Sequence, residues 1–185
     1  MPSEARAGPA NDDQAPPPLP SSERLQELLF DAARLGRDDM IPALLQAGAD
    51  IAALDPKGYT PLILASYHGH EATTALLLQH GAPVDQQDHA RGNTALMGVA
   101  FKGYTQIADL LLDAGADAHS KNFAGQTALM MAALFGHSAI VDLLVDHGSD
   151  PHVQDAAGNS AISVAETQNN ELMVTRLKAR HRALA

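Results

Sequence analysis

Residues 58–82 read GYTPLILASYHGHEATTALLLQHGA, and nearly every position in the run has a structural task. Thr60 stands where a helix begins, and its hydroxyl can accept from an orphan backbone N–H of the first turn. Pro61 follows at the first helical position, where a missing N–H costs nothing. A short apolar helix then runs to His68, and Gly69 permits a tight turn. A second helix carries Leu76, Leu77 and Leu78 to Gly81, whose freedom to turn left-handed ends it.

The same order of residues recurs along the chain. The opening glycine returns in Gly58-Tyr-Thr-Pro-Leu62, Gly92-Asn-Thr-Ala-Leu96, Gly125-Gln-Thr-Ala-Leu129 and Gly158-Asn-Ser-Ala-Ile162, at spacings of 34, 33 and 33 residues. The closing glycines Gly48, Gly81, Gly115 and Gly148 lie 33, 34 and 33 apart. Each of these follows paired aliphatics: Leu44-Leu45, Leu77-Leu78, Leu111-Leu112 and Leu144-Val145. Two independent landmarks on one period specify a repeat array. No single helix pair can bury both its faces, so neighbours must stack. Ala65, Ala100, Ala132, Ala133 and Ala165 are the small residues that let helices approach to about 8 Å. The expected fold is an all-α repeat solenoid of stacked helix-turn-helix units joined by turns such as Asn122-Phe-Ala-Gly125.

These residues identify a resemblance. Thr60-Pro61-Leu62-Ile63-Leu64-Ala65, Gly69-His70, Leu76-Leu77-Leu78 and Gly81-Ala82 resemble the ankyrin repeat, as do Gly136-His137, Ile140-Val141 with Leu144, and Gly115-Ala116-Asp117. The resemblance covers about residues 23–180. It implies an L-shaped stack with short β-hairpin turns projecting beside the first helices, the two lining a concave groove. It also implies protein binding rather than catalysis. Relatives often carry His after Thr-Pro-Leu, where this chain has Ile63, Met97, Met130 and Ser163. Asn is common in relatives where His119 and His152 stand, which argues against asparagine hydroxylation of these loops. The third turn, Asp88-His-Ala-Arg-Gly92, is one residue longer and should differ in shape. Gly98 replaces a large aliphatic inside a helix, at about 1 kcal/mol against Ala.

Units are expected at about 23–53, 54–86, 87–120, 121–153 and 154–185. Residues 1–22 read as a disordered, proline-rich tail containing Pro16-Pro17-Pro18-Leu19-Pro20, of which residues 1–20 are expected to be dispensable for folding. Glu23 to Leu35 and Asp39 to Ala47 should form the first helix pair, with Pro42 in or near the first turn. Glu171 to Ala183 should form the last helix. On it Arg176, Lys178, Arg180 and Arg182 solvate the outer face and favour the helix dipole.

Of 185 residues 45% are hydrophobic but only 4% aromatic, so the core must be built of small aliphatics. Cysteine is absent, which excludes disulfides and thiolate metal sites and fits a reducing compartment. The net charge is −10, and setting aside the four C-terminal cations leaves 8 basic residues against 22 acidic. Such a body repels nucleic acid. No apolar run approaches the ~18 residues of a membrane span, and the first twenty residues lack a secretory core. A cytoplasmic monomer is the expectation.

The nine histidines invite a metal or catalytic reading. The repeat itself accounts for His70 and His137, while His80 and His147 precede helix-ending glycines. His119 and His152 lie one repeat apart, but two ligands fall short of a zinc site. Asp50, Asp117 and Asp150 recur at one repeat position and read as turn residues. No Gly-Lys-Ser/Thr follows any glycine to make a phosphate loop. No cofactor, metal or catalytic residue is expected. The functional expectation is an adaptor or regulator that holds a partner protein in the groove. The alternatives are a host-directed effector addressed by residues 1–20, and a metal-dependent sensor or enzyme using His119 and His152.

By the resemblance, variable positions lie at the turn tips and at the two residues ending each first helix. Here they hold Tyr59, Tyr67 and His68, then Arg91, Phe101 and Lys102, then Phe123, Leu134 and Phe135. Five of the seven aromatics of the chain fall among them. Tyr67, Phe101 and Leu134 share one place in successive repeats and should line up, with inward-turned Phe101 and Phe135 as the bland alternative. Some small bacterial relatives accompany catalases, which makes catalase a partner by analogy only.

Overall fold

In the computed structural model residues 20–184 are described, with side chains to 179; the proline-rich segment before them lies outside the described residues. Among the described residues ten helices follow one another: α1 Ser22–Leu35, α2 Ile41–Gln46, α3 Pro61–Tyr67, α4 Glu71–Gln79, α5 Ala95–Lys102, α6 Thr105–Asp113, α7 Ala128–Leu134, α8 Ser138–Asp146, α9 Ala161–Thr167 and α10 Glu171–Leu184. The odd-numbered helices pack side by side in one row, and the even-numbered helices back them in a second.

The local reasons for this order are those the residues announce. Thr60, Thr94, Thr127 and Ser160 cap α3, α5, α7 and α9 by accepting from the N–H three residues on. Ser163 returns the favour, accepting from the Ser160 N–H to complete a capping box. Ile63, Met97 and Met130, at the equivalent place in the other repeats, are buried. Ala65, Ala100, Ala132, Ala133 and Ala165 are all at most 1% exposed, so the close approach of the first row rests on small side chains. Between α9 and α10 Asn169 takes a positive φ of 53° where earlier units use glycine.

Four details differ from the sequence expectation. The α2 helix starts at Ile41 rather than Asp39. The Arg37 guanidinium is bidentate on Asp39 and the Met40 N–H donates to the Arg37 carbonyl, holding 37–40 as a turn. The projecting turns contain no β-strand among the described residues. Each is closed by two backbone bonds, as from Asp55 N–H to Tyr59 O and from Gly58 N–H to Asp55 O, and by an Asp or Asn side chain. The longer third turn bonds Asp88 to Asn93, one residue further than its neighbours. On α10, Arg176 and Lys178 do not simply solvate the end of the stack. They pair with Asp142 and Glu166 and tie the last helix to α8 and α9. The α1 helix begins at Ser22 with Ser21 as its cap, inside the expected tail.

Candidate functional site: the groove beside the first helices

The turns stack as a staircase. Backbone N–H groups of His89, Phe123 and Ala156 donate to Gly58, Arg91 and Ala124 of the preceding turn. At the base of each turn sits a carboxylate or amide whose acceptors are spent on backbone. Asp55 Oδ1 accepts from Lys57 and Tyr59, and its Oδ2 accepts from Arg34 at 3.3 Å. Asp88 accepts from Arg91, Gly92 and Asn93. Asn122 accepts from Ala124 and Gln126 and donates to Asn93 and Gln126. Asp155 accepts from Ala157 and Asn159, and these bonds, the one from Asn159 foremost, hold its carboxyl below the usual value.

Between these turns and the first-helix row lies a cleft of about 530 Å³. Tyr59, Tyr67, His68, Arg91 and Phe101 line it. Its floor is apolar, with Leu64, Gly98 and Met131 at one place in successive repeats. Tyr67 and Phe101 are 39% and 42% exposed. Their rings stack with centroids 6.5 Å apart and planes 19° apart. The inward alternative does not hold: Phe101 meets Phe135, itself 47% exposed, edge to face at 4.6 Å. Phe135 thus continues the line of rings, while Leu134, 40% exposed, occupies the equivalent repeat position beside it. Lys102 reaches over the Tyr67 ring at 5.0 Å. His68 donates from Nδ1 to the Leu64 carbonyl at 2.8 Å, and its ring and that of Tyr67 meet edge to face. Phe123 lies beyond the cleft on the fourth turn, where its ring covers Gly92.

The loop histidines form no such assembly. The backbone N–H groups of His119 and His152 donate to Asp117 and Asp150, which are turn residues as expected. Among the described residues no group of three or more His, Asp or Glu could hold a metal ion, and no helix is long and apolar enough to cross a membrane.

The sequence model for ankyrin repeats in three copies matches residues 29–122 and again 96–182. The chain belongs to the ankyrin-repeat family. It is 42% identical over 82 residues to an ankyrin repeat-containing protein of Treponema pallidum, covering 44% of this chain and 28% of that protein. It is 37% identical over 101 residues to ankyrin repeat and SAM domain-containing protein 6 of Mus musculus, covering 54% of this chain and 11% of that protein. It is also 37% identical over 84 residues, 45% of this chain, to a glycerophosphocholine phosphodiesterase of Schizosaccharomyces pombe, of which the match spans 7%. The chain therefore spans well under two thirds of these relatives. Ankyrin repeats are protein–protein interaction modules, typically without catalytic activity.

Within this ankyrin array, Arg34, Lys57, Gly98 and Met131 line the cleft without having been singled out as site residues. A signal for Arg34 was present. Gly36 lies 33 residues before Gly69, which puts Arg34 at the place of Tyr67 and Phe101.

Proposed function

We propose that this protein is a monomeric adaptor or regulator that binds one partner protein in the groove between its turns and first helices. The observation that carries this reading is the line of exposed rings Tyr67, Phe101 and Phe135 on the open face of the cleft, in a chain with only seven aromatics. Exposed contiguous apolar surface on a folded protein marks an interaction site, and interface hot spots favour Tyr and Arg. Tyr59, His68, Arg91, Lys102, Phe123 and Leu134 complete the contact surface. The absence of cysteine fits a reducing, cytoplasmic setting.

The test is the double variant Tyr67→Ala with Phe101→Ala. It should keep the helical circular dichroism of the wild type and fail to retain the partner that the wild-type protein pulls down. Retained binding on an intact fold would refute the groove assignment.

A further inference from the structure

The chain carries ten more negative than positive charges, yet its groove is the place where unspent positive charge collects. Among the described residues, Arg24, Arg34, Arg37, Arg176 and Lys178 are engaged in ion pairs. The side chains of Lys57, Arg91, Lys102 and Lys121 have no ion pair among those residues; Lys121 donates to the Gln154 carbonyl away from the groove, and the other three stand at the groove. Lys57 and Arg91 line the cleft, and Lys102 lies across Tyr67. The two acids in the same wall, Asp55 and Asp88, are 6% and 4% exposed. Their oxygens are occupied by backbone N–H groups and Arg34, so they neutralise the rim only in part.

The floor adds a second observation. Leu64, Gly98 and Met131 hold one register position in successive repeats, so the missing side chain at Gly98 lowers the floor midway along the cleft. No unusual backbone requires glycine there, because Gly98 lies inside α5 without a positive φ. The nearest atom to a Cβ at this position would be Tyr67 Cδ2 at 3.4 Å, so close packing does not demand glycine either. The stacked pair Tyr67 and Phe101 borders this dip.

Resting on the reading of the groove as a protein-binding site, we propose that its occupant is an extended partner segment in which a large apolar side chain is flanked by aspartate or glutamate. The apolar anchor seats over Gly98 beside Tyr67 and Phe101, and the carboxylates meet Lys57, Arg91 and Lys102. Three cations on an otherwise acidic body suit a short acidic segment. A long polyanion would meet the repulsion of the remaining surface.

Panning random phage-displayed peptides on the full chain provides the probes. Selected sequences are then synthesised with a fluorescent label and titrated by polarisation. The expected peptides carry Asp or Glu around one aliphatic or aromatic residue. Gly98→Leu, which restores the size found at Leu64 and Met131, should weaken them about tenfold or more. Lys57→Gln with Arg91→Gln should do likewise and flatten the salt dependence. Both are exposed surface changes in the latter variant, so it remains folded even if Gly98→Leu does not; circular dichroism checks each. Neutral or basic peptides that lose binding in Tyr67→Ala/Phe101→Ala would overturn the acidic assignment and leave the groove reading standing. Peptides indifferent to that double variant, or no selected peptide at all, would overturn both. Single-stranded oligothymidylate displacing the peptides more tightly than they displace one another would overturn the proposal in favour of nucleic acid.

Discussion

The imidazole of His70 donates from Nε2 to the carbonyl oxygen of Arg34, 2.9 Å away and one repeat earlier. Its ring lies over Gly36, where an added Cβ would come within 2.6 Å of Nδ1. The same geometry returns when His137 donates to the Phe101 carbonyl and covers Gly103. In the third unit Tyr104 takes the place over Gly69, without the imidazole bond. One side chain thus satisfies a carbonyl at the end of the preceding first helix and fixes the spacing of two units. Since Arg34 and Phe101 are groove residues, the contact that stacks the repeats also sets where the groove side chains leave the backbone.

From this follows a coupling between Gly36 and His70. Gly36→Ala should destabilise by about 1–2 kcal/mol from the left-handed backbone alone (φ 70°), and by more because of the imidazole. His70→Ala should cost about 1 kcal/mol for the lost bond. Urea titration of both single variants and the double variant should give a double-variant loss smaller than the sum, since removing the ring relieves the clash but not the backbone strain. Strict additivity would refute the contact.

Leu111 is 0% exposed, buried within the stack on α6. Leu111→Ala should lower stability by about 2–5 kcal/mol in denaturant titration. A loss near zero would be incompatible with that burial.

Asp155 offers a pH test. Backbone bonds from Asn159 first, opposed by partial desolvation, hold its folded pKa below the ordinary carboxylate value. A depressed folded pKa contributes stability above the unfolded pKa and loses it as pH falls through the folded one. Asn122 makes the equivalent bonds in the fourth turn with no charge, at 3.0 and 2.9 Å. Asp155→Asn should therefore change the melting temperature little at neutral pH and make the acid limb of a melting-temperature profile shallower. An acid limb as steep as that of the wild type would show that this carboxylate does not contribute.

The repeat was legible because its signals are local. A cap at Thr60, a proline at position 61 and a left-handed glycine at 81 each answer to their own backbone. The line-up of Tyr67 with Phe101 follows from spacing alone, whereas the further ring contact depends on side-chain direction. Phe135, at the cap of α7, meets Phe101, a contact that repeat spacing would assign to Leu134. The cations of the cleft were harder to see. Arg34 and Lys57 come from a long first helix and a turn tip, and only the stacking of the units brings them to one cleft with Arg91. The true start of α2 was hidden for a related reason: the Arg37–Asp39 pair spends on a turn the acid that would otherwise open the helix.

Gly98 gives the last prediction. Glycine inside a helix is about 1 kcal/mol less favourable than alanine because it loses more backbone freedom on folding. At this position alanine would meet only the Tyr67 ring, at van der Waals distance, and α5 has ordinary helical geometry. Gly98→Ala should therefore raise stability, by up to about 1 kcal/mol, read as a higher urea midpoint with an unchanged slope. The near face of Tyr67 should shift no further than a methyl group requires, so the near-ultraviolet spectrum of the tyrosines should be preserved. A lower midpoint would mean that the Tyr67 ring needs the whole of the space over Gly98, and the glycine would then be explained by packing between α3 and α5. A higher midpoint leaves a residue that weakens its own helix without a packing reason, which is expected of a position that serves what enters the groove.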